Sequence, residues 1–228
     1  MIRRYPGTVL LISLLAACGK GEAPRRTASA SASAEAHVQA PVILFLGTSL
    51  TAGYGVDPAA AYPAVIQRMV DSAGYSYRVV NAGVSGETSA GALRRTAWLF
   101  RDVPPSILIL ETGANDGLRG LDPDSLEANL LAILEHASSL NPPPRLVLAG
   151  MEAPPNMGRS YTARFRAAYR SASSRSGATL IPFLLADVAG VDSLNLPDGI
   201  HPAAAGHRVM AQTVWRALGP LLEASPSD

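Results

Sequence analysis

The chain is expected to fold as an α/β protein: a five-stranded parallel sheet with helices on both faces. Three observations predict this. From Pro41 onward, short apolar runs alternate with longer segments that can form helices. The runs are rich in β-branched and aromatic residues and lack polar alternation, the pattern of strands buried on both faces. Turn residues separate them, above all Gly, Pro and Asn.

The elements follow in order. Residues 42–46, Val-Ile-Leu-Phe-Leu between Pro41 and Gly47, are the first strand. Residues 59–72 read as a helix, with Asp57 as N-cap before Pro58. A second strand covers 77–80 and ends at Asn81-Ala82-Gly83, followed by a helix over 89–100. Residues 107–110, after Pro104-Pro105, are the third strand. Asp122-Pro123 caps a long helix to about 139, and the Pro-rich loop 141–144 leads into a fourth strand, 146–149. A helix over 161–174, a short strand over 178–182 and a closing helix over 203–222, with Pro202 at its first turn, complete the pattern. No internal repeat stands out.

Composition narrows the function classes. Lys and Arg number 19 against 18 Asp and Glu, and no basic stripe with interleaved aromatics provides a nucleic-acid footprint. Cys18 is the single cysteine, which excludes an internal disulfide and a cysteine-based zinc site. No His/Asp/Glu cluster has metal-ligand spacing.

Residues 1–18 read as a secretory signal. Arg3 and Arg4 supply the positive start, and Val9 to Leu15 the apolar run, which is too short for an ordinary membrane-spanning helix. Leu15-Ala16-Ala17-Cys18 resembles the lipobox of bacterial lipoproteins. That resemblance implies cleavage before Cys18, acylation of Cys18, and an envelope protein anchored to a membrane and facing the periplasm. A plain signal peptide with an incidental cysteine is the alternative. Residues 19–40, rich in Ala and Ser without apolar periodicity, read as a flexible tether, leaving 41–228 as the folded domain.

Four polar clusters fall in loops of the α/β pattern. Gly47-Thr48-Ser49-Leu50, Ser85-Gly86-Glu87-Thr88 and Gly113-Ala114-Asn115-Asp116 follow strands one, two and three. Asp198-Gly199-Ile200-His201-Pro202 precedes the last helix. In a parallel sheet the first three share the carboxyl edge, where open α/β sheets bind ligands. A serine hydroxyl is a poor nucleophile until a base takes its proton, and an imidazole held by a carboxylate suits that task. Asp198 and His201 are three residues apart, so one tight turn can place both side chains together. Acyl transfer also needs donors for the developing oxyanion. Gly86 can offer a backbone N–H, Asn115 a side-chain amide, and Ser49 its own N–H. Singly, these residues have plainer readings: Asp198 as an Asx-turn, His201 as a helix cap, Asn115 as a turn residue. His136 and His207 read as structural or solvated, and Asp187 and Asp192 as surface acids. Glu87, Glu111 and Glu152 lie at strand ends with no paired-carboxylate design.

Together the four clusters resemble the SGNH hydrolases, also called GDSL-like esterases and lipases, over about residues 42 to 220. The resemblance assigns Ser49, Asp198 and His201 to a catalytic triad, and Ser49, Gly86 and Asn115 to an oxyanion hole. It is closest to the bacterial periplasmic thioesterase, arylesterase and lysophospholipase branch, through residues 113–120 and Asn156-Met157-Gly158-Arg159. It implies a three-layer α/β/α, flavodoxin-like sandwich, no cofactor, and small-molecule acyl esters or thioesters as substrates. Thr48 departs from the family's Asp in the first block; that Asp is no triad member, so the departure bears on support of the nucleophile loop. Two other functions fit parts of the pattern. One is a carbohydrate O-deacetylase using the same triad. The other is a non-catalytic flavodoxin-like binding module, which leaves Asp198 and His201 unexplained.

Overall fold

The computed structural model describes residues 40–223. The signal, Cys18 and nearly all of the tether expected from the sequence lie outside the described residues. Strands β1 (Val42–Gly47), β2 (Arg78–Gly83), β3 (Ile107–Glu111), β4 (Arg145–Ala149) and β5 (Thr179–Ile181) form one sheet in the order β2-β1-β3-β4-β5. Every pairing is parallel. β1 and β3 are buried along their whole length, as their unbroken apolar runs require. β2, at an edge, is only half-buried.

Among the described residues, seven α-helices accompany the strands: α1 (Ser49–Ala52), α2 (Tyr62–Ser72), α3 (Ser89–Asp102), α4 (Ala114–Leu118), α5 (Pro123–Ser138), α6 (Arg159–Ser176) and α7 (Ala204–Glu223). Their sides follow from the strand order. A right-handed crossover from β1 outward to β2 puts α2 on one face. The crossovers running back through β3, β4 and β5 put α3, α5 and α6 on the other. The contacts agree: α3 packs on α5 and α5 on α6, while α2 packs on α7. The result is the expected three-layer sandwich. Phe45, Leu108, Ile109, Tyr62 and Phe165 are among the side chains fully buried in its core.

Several boundaries differ from the sequence reading. The helix expected over 59–72 is broken at Ala61, with a 3₁₀ turn Pro58–Ala60 before α2. Asp57 caps that turn through Ala59 N–H at 2.8 Å, so the cap is real but the helix it starts is short. Pro202 lies before α7 rather than in its first turn, in an isolated bridge with Asn195. The Asn115 segment, read as a turn, is the short helix α4.

The direction reversal at β1 matters most for function. The adjacent strands β1 and β3 send the helices that follow them, α2 and α5, to opposite faces, which opens a crevice at their carboxyl ends. Ser49 follows β1 and Asn115 follows β3, so both flank that crevice.

Candidate active site

The loop after β1 is held from below by a buried carboxyl. Glu111, the last residue of β3, is fully buried. It accepts from the Thr48 N–H at 2.8 Å, the Thr48 hydroxyl at 2.9 Å and the Thr51 hydroxyl at 2.8 Å. Tyr62 OH lies 2.7 Å from Thr51 Oγ1, extending the chain into α2. Burial pushes the Glu111 carboxyl above its ordinary range, while the Thr48 and Thr51 donors pull it back. Thr48 thus supports the loop that carries Ser49 through a neutral hydroxyl and its backbone N–H. The approach is close because position 47 is glycine: a Cβ there would lie 1.9 Å from Thr51 Oγ1.

Ser49 opens α1, and its Oγ lies 3.0 Å from His201 Nε2. His201 Nδ1 lies 2.7 Å from Asp198 Oδ2. The same carboxylate accepts the backbone N–H groups of Ile200 at 2.9 Å and His201 at 3.0 Å through Oδ1. The Asx-turn reading of Asp198 and the imidazole partnership therefore coexist, one oxygen for each. The His201 backbone and imidazole hydrogen bonds, with that of Ile200, lower the Asp198 pKa to about 2. The carboxylate stays ionised at neutral pH and, being an acceptor only, takes the hydrogen bond of the His201 Nδ1–H.

The loops after β2 and β3 are tied to each other. Gly86 has φ +78°, a left-handed conformation that suits glycine. Its carbonyl accepts from Arg119 Nη2 at 2.9 Å. Asn115 Nδ2 donates to the Glu87 carbonyl at 3.0 Å, which leaves the second amide hydrogen for another acceptor. The neighbouring Asp116 accepts from Ser89 N–H at 2.8 Å and Ser89 Oγ at 2.6 Å, fixing α4 against the start of α3.

Ser49, Gly86, Asn115 and His201 all face one cavity of about 480 Å³. Its remaining walls are largely apolar, with Leu50, Leu118, Met151, Pro154, Phe183 and Leu185 among them. Tyr54, half-exposed, stacks at a tilt on His201 with ring centroids 4.5 Å apart. A general base beside a nucleophile, donors across the mouth and an apolar wall are the parts that acyl transfer needs. Among the described residues, no group of three or more His, Cys, Asp or Glu could hold a metal ion.

Among the described residues, the other two histidines serve the scaffold. His136 Nδ1 lies 2.9 Å from Thr96 Oγ1. His207 is 1% exposed, and its Nδ1 accepts the Tyr62 N–H at 3.2 Å, which requires the neutral ring. Burial, with a smaller effect from His201, lowers its pKa from 6.5 to about 4. The unfolded chain takes up this proton near pH 6.5 and the folded chain only near 4, so stability is full above 6.5 and falls on acidification between these values. His207→Gln is expected to remove this part of the acid-side loss, at most about 3 kcal/mol. Urea melts of both proteins at pH 7 and pH 5 check it, through the change in stability between the two pH values.

Of the five residues singled out by the four motifs, Ser49, Gly86, Asn115 and His201 line the cavity, and Asp198 stands behind His201, joined to it through the imidazole. In the sequence Glu111 is only an acid at a strand end, and its partners Thr48 and Thr51 lie 63 and 60 positions away. Arg95, on α3, belongs to none of the four motifs.

Comparison with known proteins gives the family. The profile of the GDSL-like lipase/acylhydrolase family matches residues 45–209. Esterase TesA of Pseudomonas aeruginosa is 38% identical over 183 residues, covering 80% of this chain and 90% of that protein. Thioesterase 1/protease 1/lysophospholipase L1 of Escherichia coli K12 is 34% identical over 183 residues, with 80% and 86% covered. The crystal structure of the psychrotrophic esterase EstA from Pseudoalteromonas, inhibited by monoethylphosphonate, superposes with a TM-score of 0.75 at 30% identity, covering 80% of this chain and 98% of that one. With its parallel sheet, its serine at the carboxyl end of β1 and these relatives, the chain belongs to the GDSL-like lipase/acylhydrolase family, as an SGNH esterase/thioesterase that hydrolyses ester bonds.

Proposed function

We propose that Ser49 is the nucleophile, His201 the general base and Asp198 the carboxylate that orients it, and that Ser49 N–H, Gly86 N–H and Asn115 Nδ2 form the oxyanion hole. The observation that carries this reading is the Ser49–His201–Asp198 chain, with links of 3.0 and 2.7 Å, opening onto the apolar cavity. Ser49 Oγ attacks the acyl carbonyl as its proton passes to His201 Nε2. The imidazolium then protonates the leaving alkoxide or thiolate, and water repeats the sequence on the acyl-enzyme. The cavity receives the acyl chain.

The apolar walls favour acyl esters and thioesters of the arylesterase, thioesterase or lysophospholipase kind over a sugar O-acetyl group, which needs polar partners around its hydroxyls. A series of p-nitrophenyl esters from acetyl to palmitoyl tests this. Activity rising with chain length supports the acyl-pocket reading; activity confined to acetyl supports the deacetylase.

Asn115→Ala is expected to lower kcat about 10²- to 10³-fold with little change in KM, because the amide meets full negative charge only as the tetrahedral intermediate forms. Steady-state kinetics on a short p-nitrophenyl ester, with a thermal melt as folding control, measure it. A folded variant with kcat within about threefold of the parent would reduce Asn115 to a structural residue of α4.

The sequence Leu15-Ala16-Ala17-Cys18 supports an envelope location with acyl chains on Cys18 and residues 19–40 as the leash. Stable anchoring takes two or more chains. Cys18→Ser is expected to release the protein from the membrane fraction into the soluble periplasmic fraction; a parent protein already found there would overturn the anchor.

A further inference from the structure

The catalytic reading leaves one buried charge pair without a task. Arg95, in the second turn of α3, is 9% exposed, and the side chain of Glu87 is 11% exposed. Arg95 Nε donates to both Glu87 carboxylate oxygens, at 3.0 and 2.9 Å, and Nη2 lies 2.8 Å from Oε2. Nη2 also donates to the carbonyl of Gly47 at 3.1 Å. The helix leaves room for this: a Cβ on Gly91 would meet Glu87 Cγ at 2.6 Å.

The two ends of this clamp lie on the two halves of the site. Gly47 is the last residue of β1, two positions before Ser49. Glu87 directly follows Gly86, and its backbone carbonyl holds the Asn115 amide. We propose that the buried Arg95–Glu87 pair is a positioning device that sets the Asn115 amide relative to the Ser49 loop. The proposal rests on the reading of Asn115 as an oxyanion donor.

Stability alone gives a poor account of the pair. Neutral, well-packed replacements of buried ion pairs are often as stable as the pair itself. What a guanidinium adds is geometry: a planar fork with fixed donor directions, able to hold a carboxylate and a carbonyl at once. With the Glu87 side chain gripped on one side and the Gly47 carbonyl on the other, the Glu87 carbonyl has a set distance from β1. Release of the grip lets that carbonyl drift and the amide swing with it. An oxyanion donor is sensitive to such drift, since displacement of about 1 Å by a change away from the chemistry can cost 10²-fold. Neither Arg95 nor Glu87 touches substrate in this arrangement; both act through Asn115.

The test is a mutant cycle in kcat on a short p-nitrophenyl ester. Arg95→Met with Glu87→Gln removes the clamp without leaving a lone buried charge. In the parent background it is expected to lower kcat about tenfold while KM stays within about twofold. In the Asn115→Ala background the same pair of changes is expected to lower kcat less than about twofold, because the donor that the clamp sets is gone. An equal fold-loss in both backgrounds, or no loss in the parent, overturns the proposal. Arg95→Lys, which keeps the charge but not the fork, gives the same two readouts if the double replacement does not fold. The Asn115→Ala single variant separates the two failures. If it retains full kcat, the oxyanion reading falls; if it loses kcat while the clamp variants lose none, only the clamp falls.

Discussion

Ser49→Ala is expected to lower kcat by about 10⁴- to 10⁶-fold, the loss typical when the nucleophile of a triad is removed. The reasoning starts from position. Ser49 stands at the carboxyl end of a strand buried along its whole length, where the sheet changes winding direction, and its hydroxyl meets His201 Nε2 at 3.0 Å. No covalent acyl-enzyme can form on alanine. The loop itself is held by Glu111 through Thr48 and Thr51 rather than by the Ser49 side chain, so the fold is expected to survive. A thermal melt close to that of the parent and loss of fluorophosphonate labelling complete the expected result. Labelling that persists at another serine in Ser49→Ala would place the nucleophile elsewhere.

His201→Ala is expected to approach the same loss, about 10⁵- to 10⁶-fold in kcat, because nucleophile and base act as one unit. Asp198→Ala should cost less, about 10⁴-fold, since the imidazole remains and only its tautomer and the stability of its cation suffer. The ordering is the informative result. Asp198 makes two backbone hydrogen bonds as well as the one to the ring, so its removal also loosens the 198–201 turn. Asp198, with a pKa of about 2, is expected to contribute no inflection to the pH profile of the parent in the working range. Full activity of His201→Ala at pH 7 would rule out this base.

The fold class and the five site positions were legible along the chain because each depends on local signals. Unbroken apolar runs such as 42–46 mark buried strands, and the small polar residues after them mark the edge where parallel strands end. The spacing of Asp198 and His201 fits within one turn, so their partnership needs no knowledge of distant contacts. Helix breaks were harder to read. The helix read over 59–72 contains Pro63, and the break at Ala61 puts that proline in the first turn of α2, where its missing N–H has no intrahelical partner to lose. The Asn115 segment reads as a turn from Asn-Asp-Gly, yet packing against α5 and the Ser89–Asp116 hydrogen bonds make it a helical turn.

The support of the site was decided only in three dimensions. Glu111 ends an apolar strand and gives no local sign that Thr48 and Thr51, some sixty residues earlier, will surround it. Arg95 gives no sign that its guanidinium will join Gly47 to Glu87. Periodicity reports which face of an element is apolar, but hydrogen bonds between side chains far apart in sequence depend on strand order and register. The sequence by itself names the groups that can do the chemistry; the packing of β1 beside β3, and of α3 over both, determines what holds them in place.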